Sequence, residues 1–474
     1  MLLVLFLNLV AVVTVVCVAR TKGLERALPI AVFFLVLFPE ESKLTLPGMF
    51  ALTTQRFVTI TLIALSLLTK KPDRQTPRHL PLKVAVVALG GWWILSAMNS
   101  IVFMESLKSV LGQILDYFTV YYIFVRHVTN TATVRKILFG IVGAIVVCSA
   151  FGMLEAYAQW TVLSILPPVE HRYAVSGSLY VDLARGLRVQ STFGHPILFG
   201  TALAMAIPVA LSLVSTTKRR WQRIFLWIGI LAMFACIYKT GSRGPWLTLS
   251  MSLAALLFFS KMKVRKYLIG ITLFSVAVLI FRPGVWETIL SNYLSTVDTG
   301  SYQGESYLYR FELYDLVVQE LNRDMSRAIW GYGPQSFPYL HLHGELNGRP
   351  MDFTSCDSSF AAFLVETGYV GLVIAMWPLA IALKRAIQDY RRLPAPYNQL
   401  CIVFGINLGA FYFQMISVYL FGWGQQTIML WVVIALSTVY PYLVASEQRQ
   451  KSLETREGAA MPATRLVFVG GHTL

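Results

Sequence analysis

Charge is scarce in this sequence. Only 14% of its 474 residues are Asp, Glu, Lys or Arg, whereas soluble domains carry about a quarter, so a soluble globular class is excluded. Cysteine is scarce too. Of five, Cys17, Cys148, Cys236 and Cys401 lie in apolar runs and only Cys356 in a polar stretch. That leaves neither a disulfide framework nor metal-ligand spacing. The short alternating segments of a transmembrane β-barrel are missing, as is any repeat of roughly 20–50 residues. No basic region precedes the apolar start at Met1, which reads as a retained span rather than a cleaved leader.

What is present is hydrocarbon. Hydrophobic residues make up 56% of the chain and mean hydropathy is +0.61. Several runs reach the ~20 residues that cross ~30 Å of bilayer core. Thirteen runs can be drawn between residues 2 and 445, of which 27–39 and 56–69 are short. The expectation is an all-α polytopic membrane protein with 12–13 transmembrane helices.

The net charge of +16 needs no nucleic acid to explain it. Of the 40 Lys and Arg, 27 fall in the tail after residue 446 and in six loops, 20–26, 70–83, 126–136, 218–223, 261–266 and 384–392. The positive-inside rule puts these in the cytoplasm. The N-terminus is then outside and the C-terminus inside. Four parts follow: spans over 1–281 with a short external segment at 159–192, a periplasmic insert at 282–357, spans over 358–445, and a cytoplasmic, disordered tail at 446–474.

The insert is the long polar exception. Between Arg282 and Asp352 it carries five Arg and nine Asp or Glu, the reverse of the chain's overall balance. Leu308, Phe311, Tyr314, Val317, Val318 and Leu321 recur at helical steps within 306–322, which predicts an amphipathic helix. The sequence GYGPQSF at Gly331–Phe337 supplies turn chemistry, and 344–356 reads as loop.

Candidate chemistry collects around this insert. Arg243 lies in a break between two apolar runs, flanked by Gly241, Gly244 and Pro245. An arginine near hydrocarbon is costly and points to function, and the free N–H groups of the helix beginning there favour an anion. Arg310, Arg188 and Arg185 are further guanidiniums on the same side, able to grip phosphate through paired hydrogen bonds. For Arg185, ordinary pairing with Asp182 is the better reading. His341, His343 and Asp357 compete for the role of general base, and His195 shapes the turn before Pro196. No third ligand at helpful spacing suggests a metal.

Four stretches together carry a family resemblance. They are STFGHPILFG at Ser191–Gly200 with Arg188 before it, TGSRG at Thr240–Gly244, Arg310 with the GYGPQSF turn, and DSSFAAFLVETGYVGL at Asp357–Leu372. In order and spacing this resembles the O-antigen ligase and O-antigen polymerase (Wzy) superfamily over roughly residues 185–375. The resemblance implies a membrane glycosyltransferase of the bacterial inner membrane with its active site facing the periplasm. It implies an undecaprenyl-diphosphate-linked glycan donor and a glycan acceptor, no cofactor or metal, and polysaccharide chain-length or export proteins as further partners. Arg243 and Arg310, with Arg188, would contact the diphosphate. Ligases typically have His-Asn where this chain has Asp357-Ser358, a departure that places polymerisation ahead of ligation to lipid A core or protein. A lipid-linked oligosaccharide transporter is the reading from another class, but the internal repeats common there are absent.

Overall fold

The structure is a computed structural model that describes residues 2–44, 51–69, 81–167, 178–182, 185–260, 264–281, 302–422 and 424–460, with a few positions between 284 and 294. Part of the 159–192 segment (168–177), the start of the 282–357 insert and the end of the 446–474 tail lie outside the described residues.

The chain is an all-α polytopic membrane protein. Its helices are α1 (Leu2–Lys22), α2 (Leu24–Leu37), α3 (Thr54–Leu68), α4 (Lys83–Met98), α5 (Phe103–Gln113), α6 (Thr119–His127), α7 (Thr131–Ala158) and α8 (Pro196–Thr216). They continue with α9 (Arg220–Lys239), α10 (Arg243–Phe259), α11 (Val264–Phe281), α12 (Tyr302–Asn322), α13 (Met325–Trp330), α14 (Ser359–Arg392), α15 (Asn398–Gln414) and α16 (Gly424–Ala460). Among the described residues, six helices are long and apolar enough to cross a membrane, and α3, α4 and α10 are shorter apolar helices. α8 is 94% buried over its apolar window and α16 is 83% buried. These two therefore form the centre of the bundle, because a helix that is apolar all round belongs inside.

Among the described residues three small antiparallel strand pairs decorate the helices: β1 (Lys43–Leu44) with β2 (Leu52–Thr53), β3 (Tyr180–Asp182) with β4 (Gly186–Arg188), and β5 (Leu342–Leu346) with β6 (Arg349–Phe353). The last corrects the expectation of a loop at 344–356. Its turn is Asn347-Gly348, both at positive φ (51° and 73°), the backbone that a two-residue hairpin turn demands. The polar stretch after residue 446 also departs from expectation, since α16 continues to Ala460. Its Glu, Gln, Arg and Lys residues are good helix formers. The Glu447 carboxylate also accepts hydrogen bonds from Thr131 N (2.7 Å) and Thr131 Oγ1 (3.0 Å) at the start of α7.

The insert folds against the bundle rather than standing free. Leu313, Val317 and Leu321 of α12 are fully buried with Phe337, Leu342 and Phe353, and with Ala361, Leu364 and Val365 of α14. The buried stripe is rotated from the predicted one, which leaves Phe311 57% exposed.

The GYGPQSF turn docks where α14 breaks. At Gly368 (φ 71°, ψ −178°) the helix leaves helical geometry. The freed carbonyls are taken up, Val365 O by Tyr332 N (2.8 Å) and Glu366 O by Gly333 N (2.9 Å). The Glu366 carboxylate accepts from Gln335 N (2.9 Å) and from the Tyr419 hydroxyl (3.3 Å). α4 braces the joint, with Ser96 Oγ donating to Glu366 O (2.6 Å), Trp92 Nε1 to Thr367 O (2.9 Å), and Trp92 stacked on Trp330 at 4.5 Å.

Gly368 is thus required twice, for its backbone angle and for space, since a Cβ there would overlap the Ile329 carbonyl. Gly368→Ala is expected to cost roughly 2–6 kcal/mol from strain plus overpacking. Gly91→Ala, where a Cβ meets nothing within 4 Å, should cost almost nothing. Thermal unfolding of the two variants in one detergent compares them directly.

Candidate active site

Two helix starts and one helix end meet beside the insert. α15 finishes at Gln414–Val418 with carbonyls that lack intrahelical partners, as every helix end does. The start of α14 supplies them. Ser359 N donates to Met415 O (2.9 Å), Ser358 Oγ to Met415 O (3.2 Å) and Ser359 Oγ to Val418 O (2.8 Å). Ser358 also caps its own helix by accepting from Ala361 N. Asp357 precedes this cap and is half-buried. The start of α10 lies along the same turn: a Cβ on Gly244 would touch Gln414 Oε1 at 3.3 Å and Ser417 Oγ at 3.5 Å. Arg243 and Asp357 are therefore both carried on helix starts that abut the last turn of α15.

The insert adds Arg310 through α12. Tyr309 donates its hydroxyl to Ser355 O (2.8 Å), and Tyr314 bonds Ser358 Oγ, so the helix bearing Arg310 is fastened on both sides of Asp357. Asp357 and Arg310 both act on the Tyr309 phenol. Burial is the main cause that pushes its pKa up to about 12, the Asp357 charge adds to this, and Arg310 opposes it. The Arg243 guanidinium in turn lies within electrostatic reach of Arg185 and Arg310. Three arginines and one aspartate share this end of the bundle, and Arg243, Arg310, Arg185 and Asp357 are all half-buried.

Arg188 has a different place. It is 3% exposed, and each guanidinium nitrogen is engaged: Nε with Thr240 O (2.8 Å), Nη1 with Asp182 Oδ2 (3.2 Å) and Nη2 with Ser242 Oγ (2.8 Å). Burial and then the neighbouring Arg185 lower its pKa, against the pull of Tyr180 and Asp182. Its bonds grip the Thr240–Ser242 turn, where Gly241 sits at φ 57° and from which Arg243 emerges. Arg185 shares Asp182 (3.3 Å) and donates to Gly241 O (3.2 Å). Of the two, Arg185 faces the arginine cluster and Arg188 builds the floor beneath it.

The insert histidines are exposed on the hairpin. His343 pairs with Asp352 across the hairpin, with side chains 73% and 67% exposed, and His341 is exposed. His195 caps α8, with Nδ1 accepting from Ile197 N (3.3 Å), in keeping with a turn-shaping residue. Among the described residues no three His, Cys, Asp or Glu side chains converge. Sequence reasoning passed over Tyr309 and Tyr314. Their spacing on either side of Arg310 was the available signal, but what they bond to depends on tertiary folding.

Residues 228–376 match the family described as O-antigen ligase. The match begins in α9 and ends in α14, so Arg243, Arg310 and Asp357 lie inside it, and Arg185 and Arg188 precede it. No curated protein matches the chain.

If Arg188 is a floor and Arg185 a contact, their conservative variants separate. Arg188→Lys keeps the charge but lacks the planar fork whose three separate nitrogens reach Thr240 O, Asp182 and Ser242. It should lower the melting temperature clearly, since breaking a buried ion pair costs up to ~3–5 kcal/mol. Arg185→Lys should lower it less, because Arg185 is more exposed than Arg188 and, among the described residues, bonds only Asp182 and Gly241 O. Thermal melts of both variants alongside the parent protein decide the point.

Proposed function

We propose that this member of the O-antigen ligase and polymerase superfamily is a polymerase. It joins undecaprenyl-diphosphate-linked glycan repeat units at the outer face of the bacterial inner membrane. The observation that carries this reading is the convergence of Arg243, Arg310 and Arg185 beside Asp357. Like charges brought together at a membrane-helix end are costly, and a diphosphate offsets that cost. The surplus of acidic residues in the insert, against basic loops at the other ends of the helices, supports an outward-facing site.

In this mechanism Asp357 accepts the proton of an acceptor sugar hydroxyl as its oxygen attacks the anomeric carbon of the donor. The bond from that carbon to the diphosphate oxygen breaks, and the electron pair leaves with the lipid diphosphate. Arg243 and Arg310 hold the charge that grows on the leaving group, an effect worth ~10²–10³ in rate per preorganised donor in other enzymes. Arg185 stands beside Arg243 as a third contact. Arg188 acts through the turn that aims Arg243. His343 is instead paired with Asp352 across the hairpin.

The family's description favours a second reading, ligation of the finished glycan to another acceptor. The same machinery serves, and only the acceptor changes. Asp357-Ser358 in place of the ligases' His-Asn supports polymerisation.

Purified protein incubated with lipid-diphosphate repeat units tests this. Longer glycans with release of lipid diphosphate support the polymerase, and transfer only to lipid A core or protein supports the ligase. A complete absence of new glycosidic bonds sinks both. Arg243→Ala and Arg310→Ala should each lower turnover by ~10²-fold or more. Asp357→Asn should cost ~10²–10⁴-fold, and more than His341→Ala or His343→Ala. The reverse order would move the base to the hairpin.

A further inference from the structure

Glu155 is a carboxylate that the mechanism above does not use. It lies one turn before the end of α7 and is 0% exposed. A buried carboxylate is costly unless it is hydrogen-bonded. Its Oε2 accepts from Gln190 N and from Ser191 N, each at 2.8 Å. Those two residues take right-handed and then left-handed backbone, Gln190 at φ −119°, ψ −24° and Ser191 at φ 53°. Successive amides in that order form a concave anion-binding nest. Here the anion is the protein's own side chain. Serine rarely takes positive φ, so the carboxylate compensates a backbone shape that the residue resists.

The nest sits two residues beyond Arg188 and is laced to two helices. Ser191 Oγ donates to Cys148 O of α7 (2.6 Å), and Val189 N donates to Lys239 O at the end of α9 (3.1 Å). Gly152, on the face of α7 that carries Glu155, leaves room for this contact. A Cβ there would come within 2.9 Å of Val189 and 3.1 Å of Cys236. Arg188 in turn grips Thr240 O and Ser242 Oγ, and Arg243 is the next residue. α7 thus reaches Arg243 through one short chain of contacts: carboxylate, nest, Arg188 and turn. We propose that Glu155 is a positioning residue that fixes the 188–192 strap and, through Arg188, aims Arg243. Its consequence for turnover rests on the diphosphate role of Arg243 given above. The anchoring of the turn rests on the bonds alone.

Glu155→Gln keeps the shape and removes the charge, so it weakens both amide bonds. The full-length protein in nanodiscs is followed by hydrogen exchange and mass spectrometry. Exchange is expected to quicken about tenfold in peptides covering 186–194 and 239–246, as a charged acceptor gives way to a neutral one. Exchange in α12 and in the β5–β6 hairpin should stay as in the parent. Turnover of lipid-diphosphate repeat units should fall about tenfold, less than the ~10²-fold that a 1 Å misplacement can cost. In an Arg243→Ala background the same substitution should cost nothing more, because residues that act through one another do not add. If Glu155→Gln does not insert, Glu155→Asp keeps the charge, draws it back by one methylene, and takes its place in both measurements. Exchange that quickens throughout the protein, or not at all at 239–246, overturns the proposal. So do losses that multiply when the two substitutions are combined. Failure of the functional reading looks different: Arg243→Ala then leaves turnover intact while both segments still exchange faster in Glu155→Gln. That result keeps the anchoring and sinks its catalytic consequence.

Discussion

One junction holds the rest in place: the last turn of α15 against the first turn of α14. A helix that ends near lipid has carbonyls with no water to satisfy them. Here Ser358 and Ser359 meet that demand with two hydroxyls and an N–H directed at Met415 and Val418. The same serines start α14, so two helix ends are completed by one set of bonds. Asp357 lies one residue outside the cap. Gly244, at the start of α10, rests on the same turn. The charged residues are therefore referenced to a single rigid joint rather than to flexible loops.

Around that joint the arginines divide the work. Buried Arg188 has its nitrogens committed to Thr240, Ser242 and Asp182, which leaves none for a substrate. Arg185, Arg243 and Arg310 are less enclosed, and Arg243 feels the charge of the other two. In the proposed reading, a diphosphate arriving at Arg243 offsets part of that repulsion, and an arrangement fixed in advance of binding is what preorganisation requires.

Much of this was legible in the sequence and some was not. Apolar runs announce membrane helices because hydrocarbon thickness fixes their length. Arg243 was conspicuous because few forces tolerate an arginine between two such runs. The division between Arg185 and Arg188 was hidden, since it depends on burial and not on residue type. Asn347-Gly348 is a strong hairpin signal, but LHGEL and RPMDF alternate poorly and contain Gly and Pro, so the strands around it read as loop. The Gly368 break in α14 was masked because 358–383 reads as one apolar run with only Glu366-Thr367-Gly368 to mark it. Only the partner turn at Gly331–Phe337 explains it.

That break bears on how the protein can be divided. The 282–357 insert buries α12 against Ala361, Leu364 and Val365, and its turn closes on carbonyls that α14 releases just before Gly368. Cut at residue 357, the insert loses Ala361, Leu364 and Val365 from its core and the Val365 and Glu366 carbonyls that its turn bonds. A piece that keeps these contacts runs from α12 through Gly368, and that piece still leans on Trp92, Ser96 and Ser106 of the bundle. Assembly has a direction as a result: the polar cap can reach its final shape only after the first turns of α14 are anchored in the bundle.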